Sequence, residues 1–327
     1  MVAAINNLLG NYGTTLSIAR HSNLRQGNDE EMAELIREMN AGEVGAVIFY
    51  NSNPSYTYPD STAFNAALSK VGLKISFADR ADETASQCDY ISPDSHYLES
   101  WNDAEPMRNT FSLAQPTIQK LFDTRQAQES LLQWCEAPVT DYHEYLEQNW
   151  RQGILSTATG AASIISWEKA LQEGVLQGDI SEAEPSFNAG NLGSAAEAAA
   201  MRKPAGLDLV IYEKTGMGNG SQANNPWLQE LPDPISKICW DNYFTVSPAT
   251  AKEKGLVQGN IIEVKSGSVT IKGPVAIQPG QANDTLTAAV GYGRTHTGKA
   301  GNNVGFNAYA FIQFSEGSFN TNISGAS

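Results

Sequence analysis

Between residues 28 and 80 two helical stretches alternate with two extended apolar ones, joined by short connections, and this alternation narrows the fold more than any other feature. Asn28 and Asp29 can cap a helix through about Asn40. Met32, Leu35, Ile36 and Met39 recur at the spacing of one helical face, and Gly42 stands where a left-handed C-terminal cap belongs. Residues 44–50, containing GAVIFY, form an unbroken apolar run, the pattern of a strand buried on both faces. Asn51, Ser52, Asn53 and Pro54 break it. A second helix is expected over 61–71, with Phe64, Ala67, Leu68 and Val71 inward and Gly72 ending it. Residues 74–78 read as a second buried strand, closed by Asp79 and Arg80. Strands and helices in this order predict right-handed crossovers and a parallel sheet. In such a sheet the residues just past the strand ends, 51–54 and 79–83, line the ligand-facing edge.

After Asp89 the pattern becomes irregular, with helical stretches near 125–134, 142–150 and 163–171. Residues 174–203 are small and polar, with an alanine run at 195–200, and read as a linker or crossing segment. From Leu207 the chain is β-rich. LDLVIY is one strand, and short strands then recur between turn signals at Gly259-Asn260, Ser266-Gly267 and Pro279-Gly280, with one short helix at 248–254. About six short strands around one small helix predict a closed or nearly closed barrel. Between these parts lies the stretch 224–243, NNPWLQELPDPISKICWDNY. Its three prolines remove backbone donors, so it is expected to run as an extended strap pinned by Trp227 and Trp240. The resulting organisation is an α/β domain over 1–173, a linker or crossing segment over 174–206 and a β-barrel domain over 207–327.

Composition removes several function classes. The net charge of −15 repels phosphates, against a nucleic acid partner and against an anionic membrane surface, while a partner with a basic face is compatible with it. Cys88, Cys135 and Cys239 are far apart and form no C-x-x-C, which disfavours an iron–sulfur or zinc site built by this chain alone. His21, His96, His143 and His296 show no metal-ligand spacing. No apolar run approaches the ~20 residues of a membrane span, and MVAAINNLLGNYG lacks the regions of an export signal. GRTHTGKA, 293–300, nearly matches a phosphate-binding loop but has Ala300 where a Ser or Thr must hold magnesium, and no apolar helix follows it, so a loop on the barrel is expected. Acidic stretches such as 141–147 read as solvated helix faces, the default for a charge run with no fixed nucleophile.

Several segments resemble one family. SFADRADETASQCDYISPDSHYLESWND, 76–103, is similar to the third domain of molybdopterin oxidoreductases, where a strand leads to an E-T-A helix, a strand end closing in Pro and a Glu before a cofactor-contacting turn. Here these are Glu83, Thr84 and Ala85, then Asp89 to Pro93, then Glu99. The turn Asn51 to Pro54 resembles that family's G-x-N-P turn with Asn51 in place of Gly, and Trp101 stands where the family usually has Gly. TVSPATAKEKGLVQGNIIEV, 245–264, resembles the signature of the family's fourth domain, a six-stranded double-psi barrel. The 224–243 strap and HYLESWNDAEP are most similar to the B subunit of bacterial alternative complex III, a fusion of a molybdopterin-oxidoreductase-like half with an iron–sulfur half.

The resemblance implies a Rossmann-like parallel-sheet domain followed by a β-rich, double-psi-barrel-like domain. It implies a cofactor-free structural module of a quinol-oxidising respiratory complex, on the periplasmic side of the inner membrane. Its partners would be an iron–sulfur domain of the same parent protein and the membrane and cytochrome subunits, with the iron–sulfur clusters lying outside this chain. The alternative is the cofactor-binding half of a working enzyme that clamps molybdopterin guanine dinucleotide. In that case Asn51, Asn53, Asp79, Arg80, Glu83 and Thr84 would serve the nucleotide by position, as would Glu99, Asn102 and Asp103, and Asn303 and Asn307 would contact the pterin. The plainer reading of these residues is that they cap helices, close turns and hold an interface. A weaker third reading is an independent nucleotide-binding α/β protein.

Overall fold

The structure, a computed structural model, describes residues 1–157, 165–180, 187–201 and 206–327. The chain forms two compact units: Met1–Gly27 with Pro93–Lys203, and Asn28–Ser92 with Pro204–Ser327. Residues 28–92 therefore share a unit with the β-rich stretch.

In that unit the first helix spans Asp29–Ala41, with the Asn28 side chain accepting from Glu30 and Glu31 N–H and Gly42 closing it at φ 76°. Strands β1 (Ala46–Phe49), β2 (Leu73–Ser76) and β3 (Tyr90–Ile91) form a parallel sheet in that order. The second helix, Ser61–Leu68, is capped by Asp60 and ends short of the expected Val71, whose N–H closes a turn on the Leu68 carbonyl. Phe64, Ala67, Leu68 and Val71 are all buried and pack with Ile36, Met39 and Phe49. The expectation of strands buried on both faces needs correction. β1 is an edge strand, and helices cover only the face of Val47 and Phe49; Ile48 is 45% exposed. In β2, Leu73 is exposed too.

The other unit holds a three-stranded antiparallel sheet that the sequence pattern did not reveal: β4 (Asn102–Met107), β5 (Thr110–Ala114) and β6 (Val175–Gln177). Helices span Ala127–Trp134, Tyr142–Asn149 and Trp167–Glu173, close to the expected positions. The expected start near Ser163 lies outside the described residues. Trp150 and Trp167, with ring centroids 5.9 Å apart, pack with Tyr142, Leu146 and Leu176. The expected 174–206 linker is structured in part, since it contains β6 and a helix over the alanine run, Leu192–Met201. Its residues 181–186 and 202–205 lie outside the described residues.

The β-rich part carries β7 (Leu207–Tyr212), β8 (Phe244–Val246), β9 (Ile261–Ser266), β10 (Val269–Ile277), β11 (Thr285–Ala289), the hairpin β12 (Gln313–Ser315) and β13 (Ser318–Asn320), and β14 (Asn322–Ala326). Six of them form one mixed sheet, β14-β7-β11-β8-β10-β9, with β7/β11 and β8/β10 parallel. The sheet curls until its edges meet: Lys265 and Ser327 exchange backbone hydrogen bonds of 2.8 and 3.0 Å. Alternate residues fill the interior, among them Leu209, Phe244, Val264, Leu286 and Ile323. Gly273 permits the closest packing there, because a Cβ would lie 2.5 Å from the Phe306 ring, which stacks on Phe244. The helix Pro248–Glu253, capped by Ser247, turns Ala251 into the same core.

The strap departs from expectation. Pro226 sits at the first position of a short helix, Pro226–Glu230, capped by Asn225. The tryptophans are not its anchors, since Trp227 is 81% and Trp240 37% exposed. Polar side chains hold it instead. Gln229 is buried and donates to the Ala223 carbonyl at 2.8 Å. Asn242, fully buried, donates to the Ala289 and Phe306 carbonyls and accepts from the Phe306 N–H. Three strong bonds to one buried amide fix a proline-rich chain better than a ring with no pocket to enter.

Candidate functional site

The loops past β1 and β2 meet the barrel loop 293–300 around one carboxylate. Glu83 lies beyond the carboxyl end of β2, as the parallel sheet requires. The Arg294 guanidinium donates to it from Nε at 2.9 and 3.0 Å and from Nη2 at 2.7 Å. Asn53 Nδ2 donates at 2.8 Å, and the Thr295 and His296 backbone N–H groups donate at 2.7 and 3.0 Å. The side chains of Arg294 and Glu83 are 4% and 10% exposed. Arg294 is completed by Nη1 donating to the Gly220 carbonyl at 2.6 Å and by the Tyr56 ring, 4.7 Å away. The Tyr56 hydroxyl donates to the Tyr292 carbonyl. A Cβ on Gly293 would sit 2.2 Å from the Asn307 nitrogen, so the loop can approach this closely only with glycine there, at φ 70°.

Burial works to raise the Glu83 carboxyl. The guanidinium, the Asn53 amide and the two backbone N–H groups outweigh it and hold the carboxyl well below the usual carboxylate range. The pair is thus a buried, fully hydrogen-bonded ion pair. Removing one partner leaves the other charge uncompensated.

The remaining residues of this edge are also engaged. Asn51 takes φ 50°, a left-handed conformation that Asn tolerates better than most side chains, which accounts for its place where the family has Gly. Asn53 Oδ1 accepts from the Thr84 N–H and hydroxyl, and Thr84 Oγ1 accepts from the Ser55 N–H. Pro54 opens a one-turn helix and has no N–H to offer. Asp79 and Arg80 pair with each other at the surface, and Arg80 also reaches the Thr297 carbonyl at 3.4 Å. Asn307 caps the short turn Ala308–Phe311 and donates to the Tyr56 carbonyl, while Asn303, at φ 60°, donates its backbone N–H to the Arg294 carbonyl. The structure therefore gathers Asn53, Glu83, Thr84 and the Asn307 side chain into one network.

Glu99, Asn102 and Asp103 belong to the other unit. Glu99 accepts from the His96 and Leu121 N–H groups and closes a turn. Asn102 accepts from the Asp103 N–H, and Asp103 accepts from the Trp150 indole at 2.8 Å. Trp101 stacks on His143 at 4.0 Å.

Sequence reasoning did not single out Arg294, Tyr56 or Gly220. Arg294 stood in the loop set aside as an imperfect phosphate-binding motif. A lone Arg bracketed by glycines just after the apolar AAVGYG run was the available signal.

No family model matches the chain. It is 29% identical over 263 residues to the menaquinone reductase, molybdopterin-binding-like subunit, of Nitratidesulfovibrio vulgaris, covering 76% of this chain and 36% of that protein. A shorter stretch of 59 residues is 37% identical to the thiosulfate reductase molybdopterin-containing subunit PhsA of Salmonella typhimurium, covering 18% and 8%. Acetylene hydratase from Pelobacter acetylenicus superposes with a TM-score of 0.62 at 14% identity, over 92% of this chain and 46% of that one. The chain resembles molybdopterin oxidoreductases. It spans less than half the length of these relatives. Among the described residues no His, Cys, Asp and Glu side chains gather in a group that could hold a metal, and no helix is long and apolar enough to cross a membrane.

Proposed function

We propose that this chain is a cofactor-free, molybdopterin-oxidoreductase-like module of a quinol-oxidising respiratory complex of the alternative complex III kind. It sits peripherally on the periplasmic side of the inner membrane. It packs against an iron–sulfur domain of the same protein and near membrane and cytochrome subunits, and holds redox centres within electron-transfer reach. Its curled mixed sheet with one small helix is read as a double-psi barrel.

The observation that carries the reading is the use made of the donors at the sheet edge. A dinucleotide pyrophosphate needs free backbone N–H groups and cations. Here Arg294, Thr295 N and His296 N are taken by Glu83, Ser55 N is taken by Thr84, and Pro54 has none. This use of the donors supports the reading, since none of them is free for a pyrophosphate. The name of the Nitratidesulfovibrio relative, a "molybdopterin-binding-like" subunit, supports the same reading. Its alternative, a working cofactor-binding half, takes support from the local match to a molybdopterin-containing thiosulfate reductase subunit.

Molybdenum, tungsten and pterin analysis of the intact native protein tests it. The module reading expects neither metal nor pterin in stoichiometric amount. Stoichiometric molybdenum or tungsten together with pterin overturns it and makes this edge a cofactor site.

A further inference from the structure

We propose that the crevice beside the carboxyl end of β1 is a binding site for one uncharged, largely apolar small molecule carrying a hydrogen-bonding group. The inference stands apart from the reading of Glu83.

A cavity of about 480 Å³ opens there, within the range of small-molecule sites. Its position follows the rule for open parallel sheets, whose ligands enter just past the strand ends. Ser52, Pro54 and Thr57, immediately after β1, form one side of it. Its chemistry is the reverse of a phosphate site. No charged residue lines it, although the chain carries a net charge of −15. Met32 and Leu35 form one wall, and the rings of Phe64, Tyr309 and Phe319 form others. Such a surface gains from covering an apolar ligand and would strip an ion of its hydration without repayment.

The walls are held in place. Asp29 accepts from the Phe319 N–H at 2.9 Å, which ties the β12–β13 hairpin to the first helix. Tyr58 packs edge-on against Phe319, with centroids 5.6 Å apart, and lies 6.1 Å from Phe64. The Tyr58 hydroxyl has no hydrogen-bond partner among the described residues, and burial raises its pKa, so it stays protonated near neutral pH. With the Ser52 hydroxyl, which lines the same cavity, it supplies a polar handle that fixes a ligand's orientation. A crevice of this volume, uncharged, ringed by aromatic side chains and bearing the unspent Tyr58 and Ser52 hydroxyls, suits a ring-bearing molecule with a carbonyl or hydroxyl group.

The test titrates the intact native protein with uncharged N-phenyl-1-naphthylamine and with anionic 8-anilino-1-naphthalenesulfonate. The wild-type protein is expected to bind one equivalent of the uncharged dye saturably and the anion at least about tenfold more weakly. Leu35→Trp, which fills the cavity, is expected to weaken the uncharged dye by about tenfold or more, with the melting temperature monitored to show that the fold is kept. Should Leu35→Trp unfold the protein, Met32→Phe makes the same test with a smaller intrusion. Absence of saturable binding, which is the outcome if another polypeptide segment fills the crevice, overturns the proposal. Unchanged affinity in the folded filling variant, or equal affinity for the anion, overturns it as well.

Discussion

Glu83 and Asp103 are both carboxylates that accept from a buried or half-buried donor, yet their surroundings differ. Glu83 draws a guanidinium and two backbone N–H groups from a loop 211 and more residues away in sequence and an amide from Asn53, and it is half of a buried ion pair. Asp103 accepts from a single indole N–H and orients one ring of a tryptophan cluster. In the first case charge ties two distant segments into one unit. In the second, apolar packing does most of the work and the carboxylate completes it. The difference shows that a carboxylate near a strand end is not in itself a ligand contact; what its donors leave free decides.

Substitutions sharpen the contrast. Glu83→Ala is expected to have the largest effect, destabilising the unit by about 3–5 kcal/mol in denaturant unfolding, because it leaves Arg294 buried without its counter-charge. Asp103→Ala is expected to cost about 1.5–3 kcal/mol, the value of one hydrogen bond to a charged group. Equal losses at the two positions would remove the distinction.

The two should also part with pH. The Glu83 carboxyl titrates below its unfolded value of about 4.3, so its contribution is present above that pH and is lost as pH falls through the lower folded value. The stability gap between wild type and Glu83→Gln should therefore be flat near neutrality and narrow in acid. A gap that widens in acid would reverse the sign and contradict the account.

The smallest effects are expected at the surface. Asp79→Asn breaks an exposed pair and should change stability by no more than about 1 kcal/mol. Trp227→Ala should be nearly neutral, within about 0.5 kcal/mol, while Gln229→Ala should cost about 1–3 kcal/mol by orphaning the Ala223 carbonyl. A large loss at Trp227 with none at Gln229 would restore the tryptophans as anchors.

Local pattern carried much of the fold. The helix capped by Asn28 and closed by Gly42, the parallel strands, and the short helix after Ser247 all follow from periodicity and turn chemistry. The edge where Asn53, Glu83 and Thr84 meet also followed from strand order. What was not legible depends on distant partners. Nothing near Glu83 in sequence announces Arg294. The exposure of Ile48 depends on what covers the sheet, not on the apolar run itself. The β4–β5 hairpin carries polar residues on both faces of β4, so no alternation marked it. Trp227 looked like an anchor because ring size is read from sequence, whereas a pocket is not.

The central claim, that Glu83 and Arg294 spend their charges on each other, is tested most directly by a double-mutant cycle with Glu83→Gln and Arg294→Met in the intact native protein. The account predicts strong coupling, with the double variant losing about as much stability as the more damaging single one, because removing the second partner relieves the charge left by the first. Simple additivity of the two losses would contradict it and return both groups to the set available for a ligand.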